Sequence, residues 1–127
     1  MTDNEIGKVI VDSAFKVHFA LGPGLLESVY EICLFHELQT RGLKVQRQIP
    51  IHIQYNGITF EEAFRADLMV ENKVIVELKS VEKVIAAHKK QVLTYIKLAD
   101  KRLGFLINFG EALIKDGITR IVNNLPE

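Results

Sequence analysis

The sequence predicts an α/β fold, a mixed β-sheet flanked by helices, and three observations carry that prediction. Apolar residues recur at helical spacing through the first two segments of the chain. From Leu43 to Lys79 the period falls to two, with Asn56-Gly57 in its middle as a hairpin signal. After a third helical segment, Leu103 to Phe109 is almost wholly apolar, which suits a strand covered on both faces.

The first helix is expected over residues 4–20. Ile6, Val9, Ile10, Phe15, Val17 and Leu21 mark its apolar side, and Thr2, Asp3 or Asn4 can cap it. Gly22-Pro23-Gly24 stops it. A second helix starts at Leu25 or Leu26 and carries Leu26, Val29, Tyr30, Cys33, Leu34 and Leu38 on its apolar side. It ends at Arg41, where Gly42 is placed for a left-handed cap. In the strand region Ile49, Ile51, Ile53 and Tyr55 are in phase, and Pro50 points to an edge strand or a bulge. Ile58 to Val70 should return antiparallel, and a tight turn at Glu71 and Asn72 leads into Lys73 to Lys79, completing a three-strand meander. Ile85 to Leu98 reads as a third helix. Leu103 to Phe109 then runs parallel to Lys73 to Lys79 through a crossover. In the tail, Glu111 to Lys115 reads as a helical turn and Ile118 to Val122 as a last edge strand.

At 127 residues the chain has the size of one domain, residues 1–127, with enough length to bury a core without disulfides or metal staples. Its 16 basic and 16 acidic residues balance, so any polyanion site is a local patch and not a global pull. The one cysteine, Cys33, lies in an apolar helical pattern, reads as a buried structural thiol, and fits a reducing compartment. The start, MTDNEIGKVI, has no signal-peptide pattern, and no apolar run reaches the roughly 18 residues of a membrane span, so the expected location is the cytoplasm, with no membrane partner.

The most apolar stretch, Asp67 to Lys79, keeps three charged residues. Along its second strand Val74, Val76 and Leu78 face one way while Ile75, Glu77 and Lys79 face the other. Charges in apolar surroundings cost several kcal/mol, roughly, unless paired or bound to a metal, so Asp67, Glu77 and Lys79 ask for a reason. Glu27 on the second helix, within GLLESVY and three residues from Tyr30, is a fourth charge close to an apolar stripe, and Gln91 and Tyr95 stand one turn apart on the third helix. Carboxylates of this kind are hard oxygen ligands for Mg²⁺, which pairs with phosphate oxygens. A neighbouring lysine can orient or deprotonate water and offset charge building on phosphorus.

Asp67 followed by Glu77 and Lys79 resembles the D…ExK core of the PD-(D/E)XK nuclease superfamily, the restriction-endonuclease-like phosphodiesterases. Gly24, Glu27 and Tyr30 are similar to the GxxExxY signature of a family of small bacterial proteins placed in that superfamily. The resemblance continues through RADLMVENKVIVELKSV, the helix HKKQVLTYIK and LINFG. It implies a restriction-endonuclease-like αβββαβ core and a metal-dependent phosphodiesterase acting on nucleic acid, expected to be DNA. It implies Mg²⁺, or Mn²⁺, held by Glu27, Asp67 and Glu77, with Lys79 assisting the water nucleophile, Gln91 near the site, and Tyr95 serving substrate or packing. Ala66 stands where the superfamily often has proline, a position that varies widely within it. By analogy with small nucleases that need two sites to cut two strands, it also implies a homodimer.

Each of these residues has a plainer reading. Glu77 and Lys79 can be an ion pair on a solvent-facing strand, and buried tyrosines such as Tyr30 and Tyr95 more often pack with a tethered hydroxyl than contact substrate. His88, one turn before Gln91, suits a phosphate contact or an exposed helix histidine. Arg65 shares a face with Asp67, either as its salt-bridge partner or as a phosphate clamp. Lys83, Lys89, Lys90, Lys97, Lys101 and Arg102 give the third helix and its flanks a basic surface that can track a backbone or merely be solvated. The alternative function is a catalytically inactive nucleic-acid-binding or assembly module on the same fold.

Overall fold

The computed structural model describes residues 1–126. Helix α1 spans Asp3–Leu21 and α2 spans Glu27–Thr40; strands β1 (Val45–Tyr55), β2 (Ile58–Val70) and β3 (Val74–Lys79) follow. Helix α3 (Ala86–Leu98), β4 (Leu103–Asn108) and β5 (Ile118–Val122) complete the chain, with a short 3₁₀ turn at Ile114–Gly117 before β5. The five strands lie in sequence order, antiparallel throughout except for the β3–β4 pair, which is parallel. The fold is therefore α/β with a mixed sheet, and α2, β1–β3, α3 and β4 run the expected αβββαβ order. The tail differs slightly from expectation. The helical turn falls at Ile114–Gly117 and not at 111–115.

Local chemistry sets these boundaries. Thr2 opens α1 with a capping box: its hydroxyl accepts the Glu5 N–H at 3.1 Å, and the Glu5 carboxylate accepts the Thr2 N–H at 2.8 Å. Alternation along β3 then divides the core. Val74, Val76 and Leu78 pack with Ile6, Ile10 and Leu34 beneath α1 and α2, while Ile75 joins Phe64, Ala66, Val92 and Ile96 beneath α3. β1 is an edge strand, as Pro50 requires, and its register shifts between Ile51 and Ile53.

A cluster of tethers joins the start of α2 to the end of β3. Tyr30 is fully buried, stacked on Phe109 with centroids 4.5 Å apart; its hydroxyl donates to the Gly22 carbonyl at 2.6 Å and accepts the Leu25 N–H at 3.0 Å. Those bonds hold the Gly22-to-Leu25 connector, in which Gly22 and Gly24 take φ of 72° and 100°. The Ser80 hydroxyl donates to the Leu25 carbonyl at 2.6 Å, fastening the same connector to the residue after Lys79. From the other side, buried Asn108 accepts the Val81 N–H at 3.0 Å and donates to the Val81 carbonyl at 2.9 Å. Gly110 has to lack a side chain, since a Cβ there would fall 2.1 Å from the Val81 carbonyl oxygen. The LINFG motif is thus the clasp that holds the exit from β3.

Tyr30→Phe keeps the ring stacking and removes both hydroxyl bonds, leaving the Gly22 carbonyl and Leu25 N–H in need of other partners. The expected loss is about 1–3 kcal/mol of unfolding free energy with an unchanged circular dichroism spectrum, read by urea titration.

Candidate active site

The β2–β3 ladder runs through Val70–Val74, Met69–Ile75 and Leu68–Val76 and goes no further. Beyond it, side chains stand in for the missing backbone partners. The Asp67 N–H donates to Glu77 Oε1 at 3.2 Å, and the Leu78 N–H donates to Asp67 Oδ2 at 2.8 Å. A buried N–H needs an acceptor, and here each strand offers the other a carboxylate. The strands part at this point, and the two acids occupy the gap with one oxygen each fixed.

This gap is electrostatically unusual. Glu77 is 8 % exposed, and burial first, then the charge of Asp67 and a hydrogen bond with it, push its carboxyl up to about 9, against the pull of Lys79. Glu27, the first residue of α2, is also held above the ordinary carboxylate range, by desolvation first and next by Asp67; Lys79 opposes the shift and Glu31 adds to it. The start of α2, the end of β2 and the end of β3 thus bring Glu27, Asp67, Glu77 and Lys79 within range of one another's charge. On α3, Tyr95 stacks on Phe64 with centroids 3.9 Å apart. Burial, then Glu77 and Asp67, raise its phenol, while the Gln91 side chain beside it pulls the other way.

The remaining expected residues have different surroundings. Arg65 forms its ion pair with Glu62, and its Nη1 donates to the Gln48 carbonyl at 3.4 Å, so it is paired away from Asp67. His88 Nδ1 accepts the Ile85 N–H at 3.2 Å, which makes it a cap for the start of α3. The Tyr30 hydroxyl is fully engaged by backbone, and the residue serves the site by fixing the connector ahead of Glu27.

Three further residues join the site that motif spacing did not single out. Glu31, 5 % exposed, accepts bonds from Arg47 at 3.0 Å and 3.2 Å and from the Gln48 amide at 2.7 Å. The Gln48 amide also reaches Asp67 Oδ1 at 3.3 Å. Glu31 was within reach of the sequence, since Glu27 and Glu31 are one helical turn apart. Arg47 and Gln48 were not. Carrying the hairpin-tip pairing of Tyr55 with Ile58 inward would set Gln48 opposite Arg65; the shift between Ile51 and Ile53 sets it opposite Asp67.

The donor set fits a hard divalent cation. Asp67 and Glu77 each keep an oxygen not committed to the opposing strand, Glu27 is close enough to feel their charge, and a cation would take the place of the proton that burial and Asp67 favour on Glu77. Among the described residues no group of three or more His, Cys, Asp or Glu side chains forms a ready-made cage. Two carboxylates with water completing the shell is the arrangement Mg²⁺ favours.

The Glu77 shift has a consequence for stability. A carboxyl raised from 4.5 to about 9 on folding contributes stability in full below the lower value, and that contribution is lost as pH climbs through the upper one. Metal-free protein should therefore melt at falling temperature over that interval. Glu77→Gln, which keeps an acceptor for the Asp67 N–H, should melt higher at mildly alkaline pH and lose most of this slope. Thermal melts in chelator measure both, and parallel slopes in the two proteins would contradict the assignment.

No curated protein matches the chain. Among solved structures, the crystal structure of SSO0001 aligns at a TM-score of 0.53 and 20 % identity, over 80 % of this chain and 51 % of that one. The chain thus spans about half the length of that protein, and the likeness is one of fold. The family model of the PD-(D/E)XK nuclease superfamily matches residues 4–121, from the first turn of α1 into β5 and across every residue of the gap between β2 and β3. The chain belongs to the PD-(D/E)XK nuclease superfamily.

Proposed function

We propose that the protein is a metal-dependent phosphodiesterase that hydrolyses DNA, with Asp67 and Glu77 as the protein's ligands to Mg²⁺ or Mn²⁺ and Glu27 in support, directly or through water. The observation that carries this reading is the exchange of ladder bonds for carboxylate anchors. It brings two acids to one gap, where burial first and then the Asp67 carboxylate raise Glu77. A divalent cation bound there would supply positive charge, acidify a water and polarise a phosphate oxygen.

The chain's own groups supply the rest. Lys79 lies on the same strand face as Glu77, two residues on, near enough for its charge to act on Glu77 and Glu27. It orients the attacking water and offers positive charge as the phosphorus–oxygen bond to the incoming water forms and the bond to the leaving sugar oxygen breaks. Gln91 and Tyr95 border the gap from α3, with Tyr95 held by Phe64, and suit contact with the substrate strand. The apolar packing beneath α3 keeps bulk water from the inner side of Glu77.

Within the superfamily, we read the chain as a GxxExxY protein. Gly24 takes φ of 100°, Glu27 opens α2 toward Asp67, and the Tyr30 hydroxyl binds both ends of the connector, so each signature position has a physical task at this site. The same reading keeps the cytoplasm as its compartment and a homodimer as its assembly. No helix among the described residues is long and apolar enough to cross a membrane.

Purified protein with Mg²⁺ or Mn²⁺ should cut some form of DNA, assayed on single-stranded, duplex and branched substrates. Asp67→Asn, which keeps an acceptor for the Leu78 N–H, and Lys79→Ala should each lower the rate by about a hundredfold or more with little change in melting temperature. Undiminished cutting by either variant would remove that residue from the mechanism. Titration calorimetry separates a nuclease from a binding module, since Mn²⁺ heat that depends on Asp67 and Glu77 belongs only to the former.

A further inference from the structure

Gln48 combines two features that have no common explanation in the strand itself. Its φ is 51°, in the left-handed region, although its neighbours Arg47 and Ile49 pair in one unbroken register with Leu68 and Ala66. A residue with a Cβ persists in that region where its surroundings hold it there. Those surroundings are polar and specific. Its amide nitrogen donates at 2.7 Å to Glu31 Oε1 and at 3.3 Å to Asp67 Oδ1, while its carbonyl accepts from Arg65 at 3.4 Å.

An amide nitrogen carries two hydrogens, and here each is directed at a different carboxylate. Glu31 is the fixed end of this bridge, buried and gripped by the Arg47 guanidinium as well. Asp67 is the working end. Its Oδ2 is already set by the Leu78 N–H, so the Gln48 contact to Oδ1 completes the orientation of the whole carboxylate. The donor's neutrality is also informative. A lysine or arginine at this position would neutralise Asp67 and compete with a cation, whereas an amide orients the carboxylate and leaves its charge intact. Glu31 has its arginine without Gln48, so its burial alone does not require the left-handed backbone.

We propose that Gln48 is a positioning residue of the site: by bridging Asp67 to the anchored Glu31, its amide fixes the oxygen geometry that Asp67 presents to a divalent cation. This rests on the reading of Asp67 as a metal ligand. The left-handed backbone is what turns the amide toward both acids, and the local conformation is held for the sake of the site.

The test uses the full chain and Gln48→Gly, which removes the amide yet suits a positive φ. Metal-free melting temperature should stay at or above that of the parent, while Mn²⁺ affinity by titration calorimetry falls about tenfold or more, as losses of outer partners do. Gln48→Asn also tolerates the left-handed region but is one methylene short, and should not restore affinity. Unchanged Mn²⁺ affinity in Gln48→Gly overturns the proposal. Metal-free crystal structures of parent and Gln48→Gly give a second measurement, in which the Asp67 carboxylate should rotate away from its parental orientation; an unmoved carboxylate also overturns it. If the parent protein itself takes up no Mn²⁺, the reading of Asp67 as a ligand fails, and the metal-free pair still decides whether Gln48 positions Asp67.

Discussion

Two backbone N–H groups that find carboxylates in place of a ladder partner are the constraint on which the rest of this structure depends. Where β2 and β3 part, the Asp67 and Leu78 amides would lie buried without acceptors, a costly condition inside a protein. Glu77 and Asp67 meet that need reciprocally. The same two bonds that keep the divergence stable also fix the acids in the gap, so folding and site geometry share one set of contacts. Burial first, and then the neighbouring Asp67 carboxylate, favour the protonated form of Glu77. Folded stability and a demand for positive charge are thereby built into one place.

Holding a helix against that gap is the second task, and it falls to residues remote from one another in sequence. Glu27 sits at the start of α2, just after a connector that Tyr30 pins from inside and Ser80 from the side. Tyr30 rests on Phe109, next to the Asn108 that grips Val81. The chain therefore closes a loop of contacts from the end of β4 through the exit of β3 to the start of α2. The contacts are directional, and Tyr30, Phe109 and Asn108 are fully buried, so Glu27 and Lys79 follow elements that are firmly held.

The balance of charge over the chain fits this local view. With equal numbers of acids and bases, long-range attraction for a polyanion is not what this molecule is built around. What distinguishes it is a short-range concentration of acids at one gap, partly countered by Lys79, with Gln91 and Tyr95 along one border and the Arg47–Glu31–Gln48 network along another. That network stiffens the site from the ribbon side, where an edge strand would otherwise be the least constrained element.

Sequence by itself determined the element order and the parallel β3–β4 pair, and it set Asp67, Glu77 and Lys79 apart as charges within the most apolar stretch. Periodicity reports which side chains are buried, and local signals such as Asn56-Gly57 and Gly42 act over a few residues. Asp67, Glu77 and Lys79 stood out because charge is conspicuous in an apolar strand. The tertiary structure alone decided the bonding partners of Tyr30, His88, Arg65, Asn108 and Gln48. A tyrosine or asparagine reads the same whether its polar atoms meet substrate or backbone, and Arg65 pairs with Glu62 on its own strand. Gln48 faces Asp67 because the ribbon's register shifts. A shift of two positions between Ile51 and Ile53 leaves no local trace beyond Pro50, because strand pairing is settled by contacts between distant residues and not by the composition of either strand.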